Sequence, residues 1–225
     1  MSIIARQSAP RVAGGLIAGG TLFFVAGGMH PGDDPPGLSL KQHLLLLYED
    51  PAWYPLHALL LAGMALIAAS LIALVRGGTL AVRPRVQAVA KIAAITSALS
   101  VVSAFLHLVS ASDADRIAAG ESTPLTDASL GVETLVIPAF GIAIAALGAA
   151  THTLGNWIAA VFGLTGGIAY ALAAGTALLT DALNFLFPAA AGIAVWAILV
   201  GIGMLRSSRP VVGVPAGVER TQSQR

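Results

Sequence analysis

With no cysteine in the chain, histidine and the carboxylates are left to hold a metal or move a proton near neutral pH. Four of the five histidines lie in the first half, at His30, His43, His57 and His107. Threading the chain through a bilayer brings His30, His57 and His107 to helix ends on one face, where Glu133 arrives at nearly the same level. Ionisable groups at the edge of a hydrocarbon core are expensive to bury and mark a functional site by default.

Three chemistries can use this set. Haem b needs two histidines on facing helices as axial ligands, and His57 and His107 form such a pair. Gly63, Ser100 and Ser103 are small enough to line the macrocycle, and Arg116, Lys41 or His43 are placed to meet its propionates. No Cys-x-x-Cys-His is present, so attachment is expected to be non-covalent. A divalent metal such as zinc accepts imidazole nitrogen and carboxylate oxygen, and His30, His57, His107 and Glu133 (or Asp33) supply such ligands. There is no His-Glu-x-x-His and no His-x-x-x-His pair on one helix. A metal-activated water would take Glu133 or Asp34 as general base, which makes an intramembrane hydrolase a further alternative. Proton or ion handling is the third chemistry, but the span centres are nearly free of charge and no continuous polar path crosses. Against all three stands a non-catalytic membrane subunit or scaffold, in which the histidines only order the outer loops.

Two other features are assigned plainer roles. Ser103 and His107 sit at i, i+4 spacing, but no Gly-x-Ser-x-Gly turn accompanies them. The Ser103 hydroxyl is expected to bond its own helix backbone. His152, alone at the cytoplasmic end of the fourth span, reads as an interfacial histidine. His43 reads as a helper on a surface helix. The catalytic residues, if there are any, are not identified by the sequence.

The elements that must position these residues follow from hydropathy. Hydrophobic residues make up 56% and charged residues 10% of the 225, against about 25% charged in a soluble domain. Mean hydropathy is +0.84. Apolar runs of the length that crosses a bilayer recur six times. The reading is an all-α, polytopic integral membrane bundle in a single membrane domain, 1–225. Its spans are about 12–30, 52–75, 86–110, 130–151, 156–178 and 186–205, followed by a flexible tail, 207–225. Arg6 and Arg11 ahead of the first run resemble a signal peptide, but the run is longer than a typical h-region, so an uncleaved span is expected.

Orientation follows from the basic residues. Arg6, Arg11, Arg76, Arg83, Arg85, Lys91, Arg206, Arg209, Arg220 and Arg225 fall on one side, and only Lys41 and Arg116 on the other. Both termini are therefore expected in the cytoplasm of a plasma-membrane protein, with the histidines facing out. The outer side also holds Asp33, Asp34, Glu49, Asp50, Asp113, Asp115, Glu121, Asp127, Glu133 and Asp181, and only Glu219 lies inside. Most of these acids are expected to be solvated loop charges.

In the first outer loop, Pro31, Gly32, Pro35, Pro36 and Gly37 break the first helix. Ser39-x-x-Gln42 reads as a capping box opening a short amphipathic helix over about 39–50, with Leu40, Leu44 and Leu47 on one face. That helix is expected to lie at the outer interface. Trp53 and Tyr54 read as an aromatic belt. The second outer loop, 111–129, reads as polar, with Thr126 or Asp127 capping the fourth span. Pro138 is expected to kink that span. Gly15-x-x-x-Gly19, Gly163-x-x-x-Gly167 and the stripe Gly141, Ala145, Ala149 permit close helix contact, within the chain or across a homo-oligomer seam. The expected partners are the lipid bilayer and a homo-oligomer or larger membrane complex, with no nucleic acid.

Overall fold

The computed structural model describes residues 3–30, 37–78, 83–176 and 181–207. Asp33, Asp34, the loop prolines 31, 35 and 36, and the tail charges Arg209, Glu219, Arg220 and Arg225 lie outside the described residues. So do the side chains of Arg6 and Asp181.

Helices are the only regular elements among the described residues. They are α1 (Ile3–Gly28), α2 (Leu40–Glu49), α3 (Trp53–Arg76), α4 (Pro84–Ser110), α5 (Ala114–Ala119), α6 (Pro124–His152), α7 (Trp157–Thr176), α8 (Phe187–Ala190) and α9 (Gly192–Ser207). Short 3-10 turns at Ala111–Asp113 and Asp181–Leu186 join α4 to α5 and lead into α8. Six segments are long and apolar enough to cross a membrane: Ala9–Gly28, Trp53–Arg76, Pro84–Ala119, Pro124–His152, Trp157–Thr176 and Ala182–Ser207. The last is a composite, because α8 and α9 are separated at Ala191.

The six long helices close into a ring in chain order. α1 packs on α3, α3 on α4, α4 on α6, α6 on α7 and α7 on α9, and α9 returns to α1. Short connections make α3 and α4, and α6 and α7, antiparallel neighbours, and the meeting of His30, just past α1, with His57, one turn into α3, gives α1 and α3 the same relation. One end of the ring therefore carries the end of α1, the start of α3, the end of α4 and the start of α6. The opposite end carries Arg76, Arg83, Arg85 and Arg206. There Arg83 donates from Nη1 to the Thr153 carbonyl at 2.5 Å.

Glycine sets how closely the helices approach. A Cβ on Gly19 would stand 2.8 Å from the Gly63 carbonyl oxygen, and one on Gly63 would stand 2.9 Å from that of Gly19. Gly15 meets Ser70, Gly163 meets Gly148, and Gly167 meets Gly141 and Ala145. Both GxxxG motifs are thus used between helices of one chain. In the middle of the ring, Phe23 of α1 and Phe140 of α6 meet Tyr170 of α7 edge-on, with centroids 6.2 and 6.1 Å apart. Such edge-to-face pairs suit the aromatic quadrupole. Pro138 lies within α6, which continues through it, and its ring reaches 2.8 Å from where a Gly175 Cβ would be.

The amphipathic helix α2 forms behind the capping box the sequence predicts. Ser39 accepts from the Gln42 N–H at 3.3 Å, and Gln42 Oε1 accepts from the Ser39 N–H at 2.9 Å. Its buried face differs from the expected one. Leu44, Leu47 and Tyr48 are buried, whereas Leu40 in the first turn is 49% exposed. These three pack with Trp53, Ala111 and Ile117 in a small second core beside the main one.

The stretch read as an outer polar loop is largely helical, because α5 and the first turns of α6 occupy it. Neither Thr126 nor Asp127 caps α6. Asp113, buried at 4% exposure, reaches across from the turn after α4 and accepts from the Leu125 and Thr126 N–H groups, both at 2.9 Å. A carboxylate there satisfies two of the helix's free donors and lies against the positive end of its dipole.

Candidate metal centre

His30, His57 and His107 come together at the end of the ring opposite the arginines. Each offers a ring nitrogen, and the three nitrogens lie within 4.8 Å of one another. They come from three consecutive members of the ring: His30 just past the end of α1, His57 one turn into α3, and His107 one turn before the end of α4. His57 is 3% exposed, the His107 side chain is 29% exposed, and His30 is exposed. His43 on α2 and His152 at the arginine end do not belong to this set.

Hydrogen bonds fix which nitrogen of each ring faces inward. His57 Nδ1 donates to the Trp53 carbonyl at 2.7 Å, which leaves its Nε2 as a lone-pair acceptor. That Nε2 lies 3.0 Å from His30 Nε2, so His30 supplies the proton between them. His107 Nδ1 donates to Glu133 Oε1 at 2.7 Å, which leaves His107 Nε2 free for a ligand.

Glu133 therefore stands behind His107, on its Nδ1 side, and not among the converging nitrogens. Ser129 donates to the same carboxylate oxygen at 2.5 Å. A carboxylate on the far nitrogen of a ligating histidine fixes its tautomer and raises its basicity. A backbone carbonyl does the same for His57.

An aromatic wall holds the rings in place. The Trp53 indole is fully buried and stacks on His57, with centroids 3.8 Å apart and planes 28° apart. It also lies 4.9 Å from the His107 ring and 6.4 Å from that of His30. Its Nε1 donates to the Leu108 carbonyl at 3.3 Å. Tyr48 of α2 packs edge-on against Trp53 at 4.8 Å. The Tyr48 hydroxyl and Ser110 Oγ are 2.8 Å apart, and Ser110 Oγ donates to the His107 carbonyl at 2.7 Å. Burial raises the Tyr48 phenol above its ordinary pKa, so it stays protonated as part of this chain.

Trp53, Tyr48 and Ser129 have structural roles that the sequence reading did not give them. Two of them carried a signal: Trp53–His57 and Ser129–Glu133 are i, i+4 pairs, which share a helix face. Nothing local in the sequence joins Tyr48 to Ser110.

Three serines line the inward face of α4 below His107. Ser97 and Ser100 donate back to the carbonyls of Ala93 and Thr96, at 2.6 and 2.9 Å. The backbone bond expected for Ser103 does not form. Its hydroxyl is buried, at 1% exposure, and has no hydrogen-bond partner among the described residues.

Three imidazoles converging from α3, α4 and the residue just past α1 can hold one divalent transition-metal ion and leave a fourth position open. No family model, curated protein or solved structure matches the chain.

Proposed function

We propose that this is a small integral membrane protein whose His30–His57–His107 cluster binds one divalent metal ion of the zinc type on the outer side of the plasma membrane. The carrying observation is the convergence of three imidazoles, two with Nδ1 already tied to an acceptor. In a tetrahedral site with bonds of 2.0–2.1 Å, neighbouring ligand nitrogens stand about 3.3 Å apart. His30 and His57 are already at 3.0 Å, so a metal replaces their shared proton with little movement. The outward orientation and cytoplasmic termini rest on the basic residues at the opposite end.

Haem b is the weaker reading of the same residues. The His57 and His107 rings are 4.9 Å apart and tilted by 49°, and Trp53 lies against both. A porphyrin needs a flat slot between its two axial rings, and this packing leaves none. A scaffold without metal is the other outcome of the test.

The full chain, purified in detergent, is analysed for bound metals and for a Soret band. Stoichiometric zinc or a related ion, lost in His57→Ala and His107→Ala, supports the proposal. A Soret band restores haem, and a protein that takes up neither is a scaffold.

A further inference from the structure

We infer that the Ser103 hydroxyl serves the open position of the His30–His57–His107 site by hydrogen-bonding a water molecule bound there. The inference rests on the metal reading above and goes one step further, to a residue that positions the metal's exchangeable ligand.

The argument begins with a contrast inside one helix. Ser97, Ser100 and Ser103 are all buried on the inward face of α4. The first two return their protons to the carbonyl one turn back. That bond is available to any helical serine and is its usual resting place in an apolar setting. Ser103 does not use it, and its hydroxyl is left unpartnered at 1% exposure. Buried hydroxyls are normally satisfied by protein or by ordered water, and each exception calls for an explanation.

The position of Ser103 supplies one. It is four residues before His107 on the same helix, so the two side chains share a face with Cβ atoms roughly 5–6 Å apart. Ser103 lies one turn further along α4 from its His107 end, among the buried residues of that helix. Two other flanks of the cluster are occupied: one by Trp53, stacked on His57, and one by Glu133, bonded to His107 Nδ1. A zinc-type ion with three protein ligands keeps a water in its fourth position. A water there has one or two protons to place, and a buried water needs two to four polar partners. The metal is one partner and Ser103 Oγ is a second that nothing else claims. Of the three buried serines of α4 below His107, Ser103 alone keeps its hydroxyl uncommitted among the described residues.

The test uses the full chain in detergent micelles loaded with Cu2+. Electron paramagnetic resonance reports imidazole ligation, and oxygen-17 relaxation of the solvent reports exchange of metal-bound water. Wild type should show one exchanging water. Ser103→Ala should release it about fivefold faster, the equivalent of one net hydrogen bond of about 1 kcal/mol. Ser103→Thr should restore the slower rate, and Ser100→Ala should leave it unchanged. If Ser103→Ala does not load, Ser103→Gly carries the same comparison. Equal exchange in wild type and the serine variants overturns the inference, as does a loaded wild type with no bound water. A wild type that shows no imidazole-ligated Cu2+ removes the metal reading itself, a separate failure.

Discussion

Glu133 on α6 accepts the Nδ1 proton of His107 on α4 at 2.7 Å, and Ser129 donates to the same oxygen. On the metal reading proposed above, this pairing makes Glu133 the residue that aims a ligand. Glu133→Gln should keep all three imidazoles yet lower metal affinity about 10–100-fold, the usual effect of losing such a partner. Competition against a chelator of known affinity measures it. Unchanged affinity in Glu133→Gln would mean that the tautomer of His107 is set by something else.

Trp53 lies against all three imidazoles, so it should report on the site. Cu2+ or Co2+ titrated into the protein should quench tryptophan emission with a one-to-one endpoint, and Trp53→Phe should lose that component. The indole also fills the second core. Trp53→Ala should therefore destabilise the protein by about 3–5 kcal/mol, as for other buried tryptophans. An intact quench in Trp53→Phe would place the metal beside Trp157 or Trp196 instead.

Metal binding should weaken on acidification, because each imidazole must be neutral to ligate. Tyr48 adds a separate alkaline effect. Its phenol holds its proton more tightly folded than unfolded. The stabilisation it gives is complete below its unfolded pKa of about 10 and is lost as pH rises towards the folded value. Tyr48→Phe should flatten the alkaline limb of a stability–pH curve read from unfolding midpoints. An unaltered limb would assign that slope to another group.

Gly19 and Gly63 leave no room for a side chain between α1 and α3. Gly63→Leu should force these helices apart and cost about 1–3 kcal/mol or more by overpacking. It should also weaken metal binding, because His30 follows directly on α1 and α3 carries His57. Gly131, which has nothing within 4 Å of a built Cβ, is the control: Gly131→Ala should leave both unfolding and metal affinity unchanged.

Asp113→Ala should remove the cap from the start of α6, at a cost of about 0.5–2 kcal/mol. The loss should appear as faster amide exchange at Leu125 and Thr126, its two bonded N–H groups. Protection that stays the same there would show that the helix start is held by packing alone.

The spans and the Ser39–Gln42 capping box could be read from sequence because each is a local pattern of apolar length or of cap spacing. His30, His57 and His107 were also within reach, since a short connection forces α3 and α4 to be neighbours and equal distances from the helix ends imply equal depth. What could not be read was long-range. Asp113 caps a helix twelve residues away, across a turn that looked like a polar loop. Glu133 looked like a ligand because charge and depth were right, yet which side of His107 it approaches depends on how α4 and α6 are rotated against each other. Ser103 departs from the behaviour of Ser97 and Ser100, although all three share one helix and one face.

The three imidazoles belong to three separate places that follow one another around the ring: the residue just past α1, α3 and α4. No fragment of the chain shorter than the 78 residues from His30 to His107 contains the complete set. The cluster therefore has no local precursor: it comes into being only when α4 has docked beside α1 and α3. An ion captured there would be acquired after insertion and would act as a clasp on a finished assembly, so its retention would report that the amino-terminal half of the bundle has been put together correctly.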